Sequence, residues 1–188
     1  MIKKIEKSIL TMFGIGHLTK IPGTIASLIT CVIFYFFHYF GFHGELKWFL
    51  PGIQILLIFY LIFFIYIFFY SSYAINKYYK KDDAKEIVID EFLGQSIPLM
   101  SYYYFIFATN DVATFIWIGG FFGTGFTSGF ISWILLSFLL FRFFDILKPY
   151  PINLIDKKIK NGFGVMLDDV VAGIFTTLVL YITISLWF

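Results

Sequence analysis

From Trp48 to Tyr70 the chain runs without a single charged residue, and a stretch of that kind has few places to go. A helix rises about 1.5 Å per residue, so roughly twenty apolar residues cross the roughly 30 Å of hydrocarbon in a bilayer. Four further stretches are read the same way: Thr24 to Tyr39, the segment opened by Ile87, one within Phe115 to Leu140, and the segment opened by Asp168 and Asp169. Composition agrees, because 60% of the residues are hydrophobic and 23% aromatic, whereas soluble domains hold roughly 45–50% apolar residues. The expectation is an all-α fold, a polytopic membrane helical bundle of about five spans with short interfacial helices, forming a single integral membrane domain over residues 1–188.

Charge fixes an orientation. Lys3, Lys4, Lys7 and Lys20, then Lys77, Lys80, Lys81 and Lys85, then Arg142, Lys148, Lys157, Lys158 and Lys160 make up 13 of the 14 basic residues, leaving only Lys47 for the other side. By the positive-inside rule the three basic segments face the cytoplasm, with the amino end inside and Phe188 outside. A net charge of +2 without a basic stripe excludes nucleic acid as a partner. The single cysteine, Cys31, permits no intrachain disulfide and reads as a small core hydrophobe.

The beginning of the chain has the look of a secretory leader, but Glu6 and Lys7 cut its apolar part short and no small-residue cleavage site follows, so it is expected to stay attached. Ile2, Ile5, Ile9 and Leu10 recur at helical spacing against Lys3, Lys4 and Lys7, which fits either a short helix on the membrane surface or a frayed basic tail that only sets orientation. His38, His43, Glu45 and Lys47 match no metal-ligand spacing and read as solvated interfacial groups. Ser71 to Lys85, with Asp82 and Asp83, reads as a polar loop. Gly119 and Gly123, or Gly125 and Gly129, fit either close helix packing or a re-entrant segment. Ile152, Ile155 and Ile159 alternate with charged residues, so that connection should lie flat among headgroups.

The remaining charges need a reason, because one at the centre of a membrane helix costs about 2.5–3.5 kcal/mol on insertion scales. Arg142 and Asp145 are three apart and share a helix face, and Lys148 precedes Pro149, where the helix should stop. Asp168 and Asp169 are expected at the electropositive start of the last span. Glu86, Asp90 and Gly94, spaced by four, share a face with Glu91 turned about 100° away; a salt-bridged pair and a ligand or base role both remain open. Around Gly14 to Thr24, the backbone at Gly14, Gly16 and Gly23 offers N–H groups to an anion and Thr24 offers a cap, although a simple turn and cap has the same composition.

Four blocks, GIGHLTKIPGTIAS at Gly14–Ser27, IVIDEFLGQ at Ile87–Gln95, FRFFDILKPYPI at Phe141–Ile152 and GVMLDDVVAG at Gly164–Gly173, together resemble the phosphatidylglycerophosphatase A family. Thr19 and Ala26 depart from its usual proline and glycine. The resemblance implies an integral membrane phosphatase of the bacterial cytoplasmic membrane, taking phosphatidylglycerophosphate from the bilayer to phosphatidylglycerol and phosphate. Asp90, Glu91, Asp145, Asp168 and Asp169 at one depth would repel one another unless protonated or neutralised, and oxygen ligands beside a phosphate suit Mg²⁺. Those five are the candidate catalytic and metal residues, with Lys20, Thr24, Arg142 and Lys148 on the phosphate. Direct attack by water is preferred to a phosphoaspartate on Asp145. Other phospholipid monoesters are the alternative substrates, and a cation transporter is the alternative outside enzymes. A headgroup transferase lacks its Asp-x-x-Asp-Gly-x-x-Ala-Arg signature here, and a histidine-nucleophile lipid phosphatase lacks its Pro-Ser-Gly-His. Oligomeric state leaves no mark in the sequence.

Overall fold

The computed structural model describes residues 2–41, 46–79, 84–109 and 126–187. Its regular structure among those residues is helical: α1 (Ile2–Leu10), α2 (Ile15–Leu18), α3 (Pro22–Gly41), α4 (Leu46–Tyr78), α5 (Ile89–Thr109), α6 (Phe126–Leu147), α7 (Ile152–Lys158) and α8 (Gly162–Trp187). Within α3, α4, α6 and α8 lie segments long and apolar enough to cross a membrane: Pro22–Tyr39, Gly52–Tyr78, Gly129–Leu147 and Gly162–Thr183.

α5 is the fifth long helix, and its 21 residues reach about 31 Å. It is the hub, with α3, α4, α6 and α8 all packed against it. That position explains its lower apolar content. Gln95, Ser96 and Ser101 face protein rather than lipid, so α5 can carry polar groups that a lipid-facing helix such as α4 cannot.

The closest seam lies between α5 and α8. Pro98 lacks an N–H, so the Gly94 carbonyl one turn earlier loses its helical donor. That carbonyl is pressed against Gly173, where a Cβ would collide with it, and a Cβ on Gly94 would in turn strike the Asp169 carbonyl and the Phe141 ring. Two glycines thus bring the backbones carrying Asp90 and Asp169 into direct contact.

Several expectations are corrected here. α1 does not simply lie on the membrane surface: Leu10 is buried, its carbonyl accepts the Val88 N–H at 3.0 Å, and Glu6 bonds the Tyr78 hydroxyl and pairs with Lys77 at 3.3 Å. Those partners exist because α4 continues through Ser71 to Tyr78 instead of giving way to a loop; no proline or glycine interrupts that stretch, and the Ser72 hydroxyl caps the Phe68 carbonyl at 2.7 Å. His38 is buried rather than solvated, with Nδ1 3.2 Å from the Tyr103 hydroxyl and its ring stacked on Phe130 at 4.1 Å. His43, Glu45, Asp82, Asp83, Gly119, Gly123 and Gly125 lie outside the described residues.

Candidate active site

Four chain segments meet at the end of the bundle that holds the amino end of α5. Asp90 and Glu91 occupy the first turn of α5, where the helix dipole favours a carboxylate. α8, however, begins at Gly162, so Asp168 and Asp169 stand more than a turn inside it and not at its electropositive start. What holds them there is packing against α5, not the dipole. Glu86 falls in the turn before α5, so it does not share a helical face with Asp90.

One carboxylate oxygen each from Asp90, Glu91 and Asp169 lies within 4.8 Å of the other two. Glu91, expected to point away, reaches across to α3: a Cβ on Gly23 would fall on its carboxylate, so the glycine makes room for it. Asp90, Asp168 and Asp169 are 9%, 6% and 4% exposed, which puts this negative charge out of reach of bulk solvent screening. Glu91 Oε2 is buried without a hydrogen-bond partner. Three carboxylates so placed are a set of hard oxygen donors, with the Arg142 guanidinium close to Glu91.

Asp145 and Asp168 flank that trio, each held by a base. Arg142 Nη1 pairs with Asp145 Oδ2 at 2.5 Å across one turn of α6. Lys148 Nζ pairs with Asp168 Oδ2 at 2.6 Å and with Asp156 Oδ1 at 3.0 Å. The helix stops at Leu147 as expected, because the residue before a proline is pushed out of the helical region. Lys148 adopts the left-handed conformation, φ +43°, at a cost of about 1–2 kcal/mol. Burial pulls its pKa down, but Asp168 and Asp156 outweigh that and hold the ammonium above the ordinary lysine range.

Two chambers open on either side of Asp90 and Glu91. The smaller, about 110 Å³, is lined by Asp145, Lys148, Asp156, Asp168 and Asp169. The larger, about 370 Å³, is lined by Arg142, Lys85, Thr24 and the first turn of α3. Asp90, Glu91 and Val165 border both.

The structure therefore gathers Asp90, Glu91, Asp145, Asp168, Asp169, Arg142, Lys148 and Thr24 around one site. Thr24 lies inside α3, which starts at Pro22, so it lines the chamber but does not cap the helix. Lys20 is exposed and borders neither chamber. Gly14 and Gly16 offer no free N–H, because both donate to the Thr11 carbonyl at 3.1 Å; of the three loop glycines only Gly23 borders the site. Sequence reasoning missed Asp156 and Lys85, which look like ordinary solvated charges until the fold places them on the chamber walls. Gln95, one turn beyond Glu91, borders neither chamber; its amide is fully buried without a hydrogen-bond partner.

A multi-pass helical bundle that concentrates acids, an arginine and a lysine at one membrane boundary is the build of an integral membrane enzyme acting on an anionic headgroup. The chain belongs to the phosphatidylglycerophosphatase A family, whose sequence profile matches residues 8–184, and it is accordingly a phosphoric monoester hydrolase. It is 33% identical to phosphatidylglycerophosphatase A of Haemophilus influenzae over 178 residues, covering 93% of this chain and 85% of the relative. The enzyme of the same name from Escherichia coli K12 is 30% identical over 169 residues, 90% and 77% of the two chains. A relative from Bacteroides thetaiotaomicron, 27% identical over 94% of this chain and 91% of its own length, carries the provisional name phosphatidylinositol-3-phosphatase. No solved structure matches.

Proposed function

We propose that the protein hydrolyses phosphatidylglycerophosphate to phosphatidylglycerol and phosphate at the cytoplasmic face of a bacterial inner membrane, using Mg²⁺. The observation that carries this is the meeting of Asp90, Glu91 and Asp169 within 4.8 Å, bordered by Lys148 and Arg142. The donor set fits the ion: three oxygen ligands and no nitrogen or sulfur suit Mg²⁺, and the buried, unpartnered Glu91 oxygen is a ready ligand. Mg²⁺ bound by Asp90, Glu91 and Asp169 would neutralise phosphate charge and favour attack at phosphorus.

The chain's own residues supply the rest. Lys148, on the wall of the smaller chamber, donates to oxygens of the phosphate under attack, which a fixed cation does without reorganising during the reaction. Asp168, held by Lys148 and bordering the smaller chamber, takes a proton from the attacking water and, as the P–O bond to glycerol breaks, returns it to the leaving oxygen. Direct attack by water is preferred, and a phosphoaspartate on Asp145 is the alternative route. The basic residues clustered at this end of the bundle support a cytoplasmic site.

The test is phosphate release by the purified protein in mixed micelles, with Mg²⁺ or EDTA, from phosphatidylglycerophosphate, phosphatidic acid and phosphatidylinositol 3-phosphate. The first lipid should be preferred, Asp168→Asn should lose at least about a hundredfold in rate, and inside-out but not right-side-out vesicles should turn over external substrate. Full activity in EDTA, or in Asp168→Asn, would remove the ion or the base. Accumulation of a trappable acyl phosphate would replace direct attack with the covalent route.

A further inference from the structure

The larger chamber is not explained by the reaction itself. Hydrolysing a phosphomonoester needs the acid cluster, Lys148 and the smaller chamber, yet the protein keeps about 370 Å³ on the other side of Asp90 and Glu91. Ile21 and Ile146, which are 59% and 66% exposed, line it and give it an apolar edge suited to acyl chains. Its polar wall is built for an anion. It holds Lys85 from the turn before α5, the Arg142 guanidinium, and the first turn of α3, whose Gly23 and Thr24 N–H groups precede the first bond, from Ile25 N–H to the Ile21 carbonyl at 3.3 Å. Arg142 Nε is buried there without a hydrogen-bond partner. The opposing charges facing the chamber are Asp90 and Glu91, both among the candidate cation ligands.

We infer that this chamber is a second phosphate subsite, which binds the phosphodiester of the substrate through Lys85 and Arg142 while the terminal phosphomonoester occupies the acid cluster. The inference rests on the phosphatase reading and extends it to substrate choice. A glycerol linker joins the two phosphates of such a lipid, and the two chambers share a wall at Asp90, Glu91 and Val165, so one headgroup can occupy both. The diester sits nearer the acyl chains, matching the chamber with the apolar edge. A lipid with only a terminal monoester leaves this subsite empty. Lys85 is therefore a specificity-determining residue, and its apparent role as one more solvated lysine is incomplete.

The experiment compares kcat/KM for phosphatidylglycerophosphate and for phosphatidic acid with identical acyl chains, in micelles of fixed surface charge. Wild type is set against Lys85→Gln, Lys85→Arg and, as an exposed lysine lining neither chamber, Lys158→Gln. Loss of one charge-assisted contact should lower the selectivity ratio on the order of tenfold in Lys85→Gln, mostly through KM. Lys85→Arg should restore the ratio, and Lys158→Gln should leave it at the wild-type value. A ratio unchanged in Lys85→Gln, or lowered equally in Lys158→Gln, overturns the subsite while the phosphatase reading stands. Wild-type protein that releases no phosphate from either lipid overturns both.

Discussion

The two halves of the bundle put their buried polar atoms in different company. In the half away from the acid cluster, polar atoms answer one another inside aromatic packing: Trp133 Nε1 donates to the Pro98 carbonyl at 2.6 Å, the Tyr181 hydroxyl to the Ser101 carbonyl at 2.8 Å, and His38 meets Tyr103. Phe130, Tyr102 and Trp133 fill the space between. In the acid half, Glu91 Oε2, Arg142 Nε and both amide atoms of Gln95 are buried without partners. Native interiors rarely leave such groups unpaired, because each costs about 1–3 kcal/mol. Ser137 Oγ on α6 is buried without a partner as well, so what sets the acid half apart is charge: Glu91 and Arg142 hold unpaired atoms of ionised groups beside a chamber.

The comparison breaks most readily at Asp169. Asp169→Asn should reduce phosphate release to background while leaving the melting temperature in micelles equal to wild type or above it, since it removes one of three crowded carboxylates. A large fall in melting temperature would make Asp169 structural and erase the distinction. Trp133→Phe should do the reverse. Losing the bond to Pro98 and part of a fully buried side chain should cost roughly 1–3 kcal/mol of stability, with kcat unchanged in the folded protein; a kcat loss matching that of Asp169→Asn would join the two halves functionally. The smallest effect concerns pH. The folded pKa of Lys148 is raised, so its contribution to stability is complete below the unfolded value of about 10.4 and lost only as pH climbs through the folded one. The stability difference between wild type and Lys148→Met should therefore stay flat from neutral pH to about pH 10, and a decline beginning near neutrality would mean that Asp168 and Asp156 do not hold the proton.

Much of this was legible because helices turn spacing into geometry. Arg142 and Asp145, three apart, form the expected ion pair, and Lys148 ends its helix before Pro149 as expected. The less legible parts depend on residues far apart in sequence. His38 closes an apolar run and so reads as interfacial; only Tyr103 and Phe130, brought in by other helices, make it interior. Asp156 finds Lys148 across a reversal of the chain, and Lys85 faces a chamber whose other walls come from α3 and α6. Helix starts were misjudged for one reason: Asp168 and Asp169 look like the boundary of a span, yet α8 begins earlier, at Gly162, whose N–H is held at 2.7 Å by Asn76 Oδ1 from α4.

The glycine seam ties the order of synthesis to the moment of competence. Asp90 and Glu91 emerge midway along the polypeptide, whereas Asp169 arrives on the final hairpin, and it joins them only when Gly173 seats on the Gly94 carbonyl. The acid trio is therefore incomplete in any chain whose α8 has not yet inserted and packed.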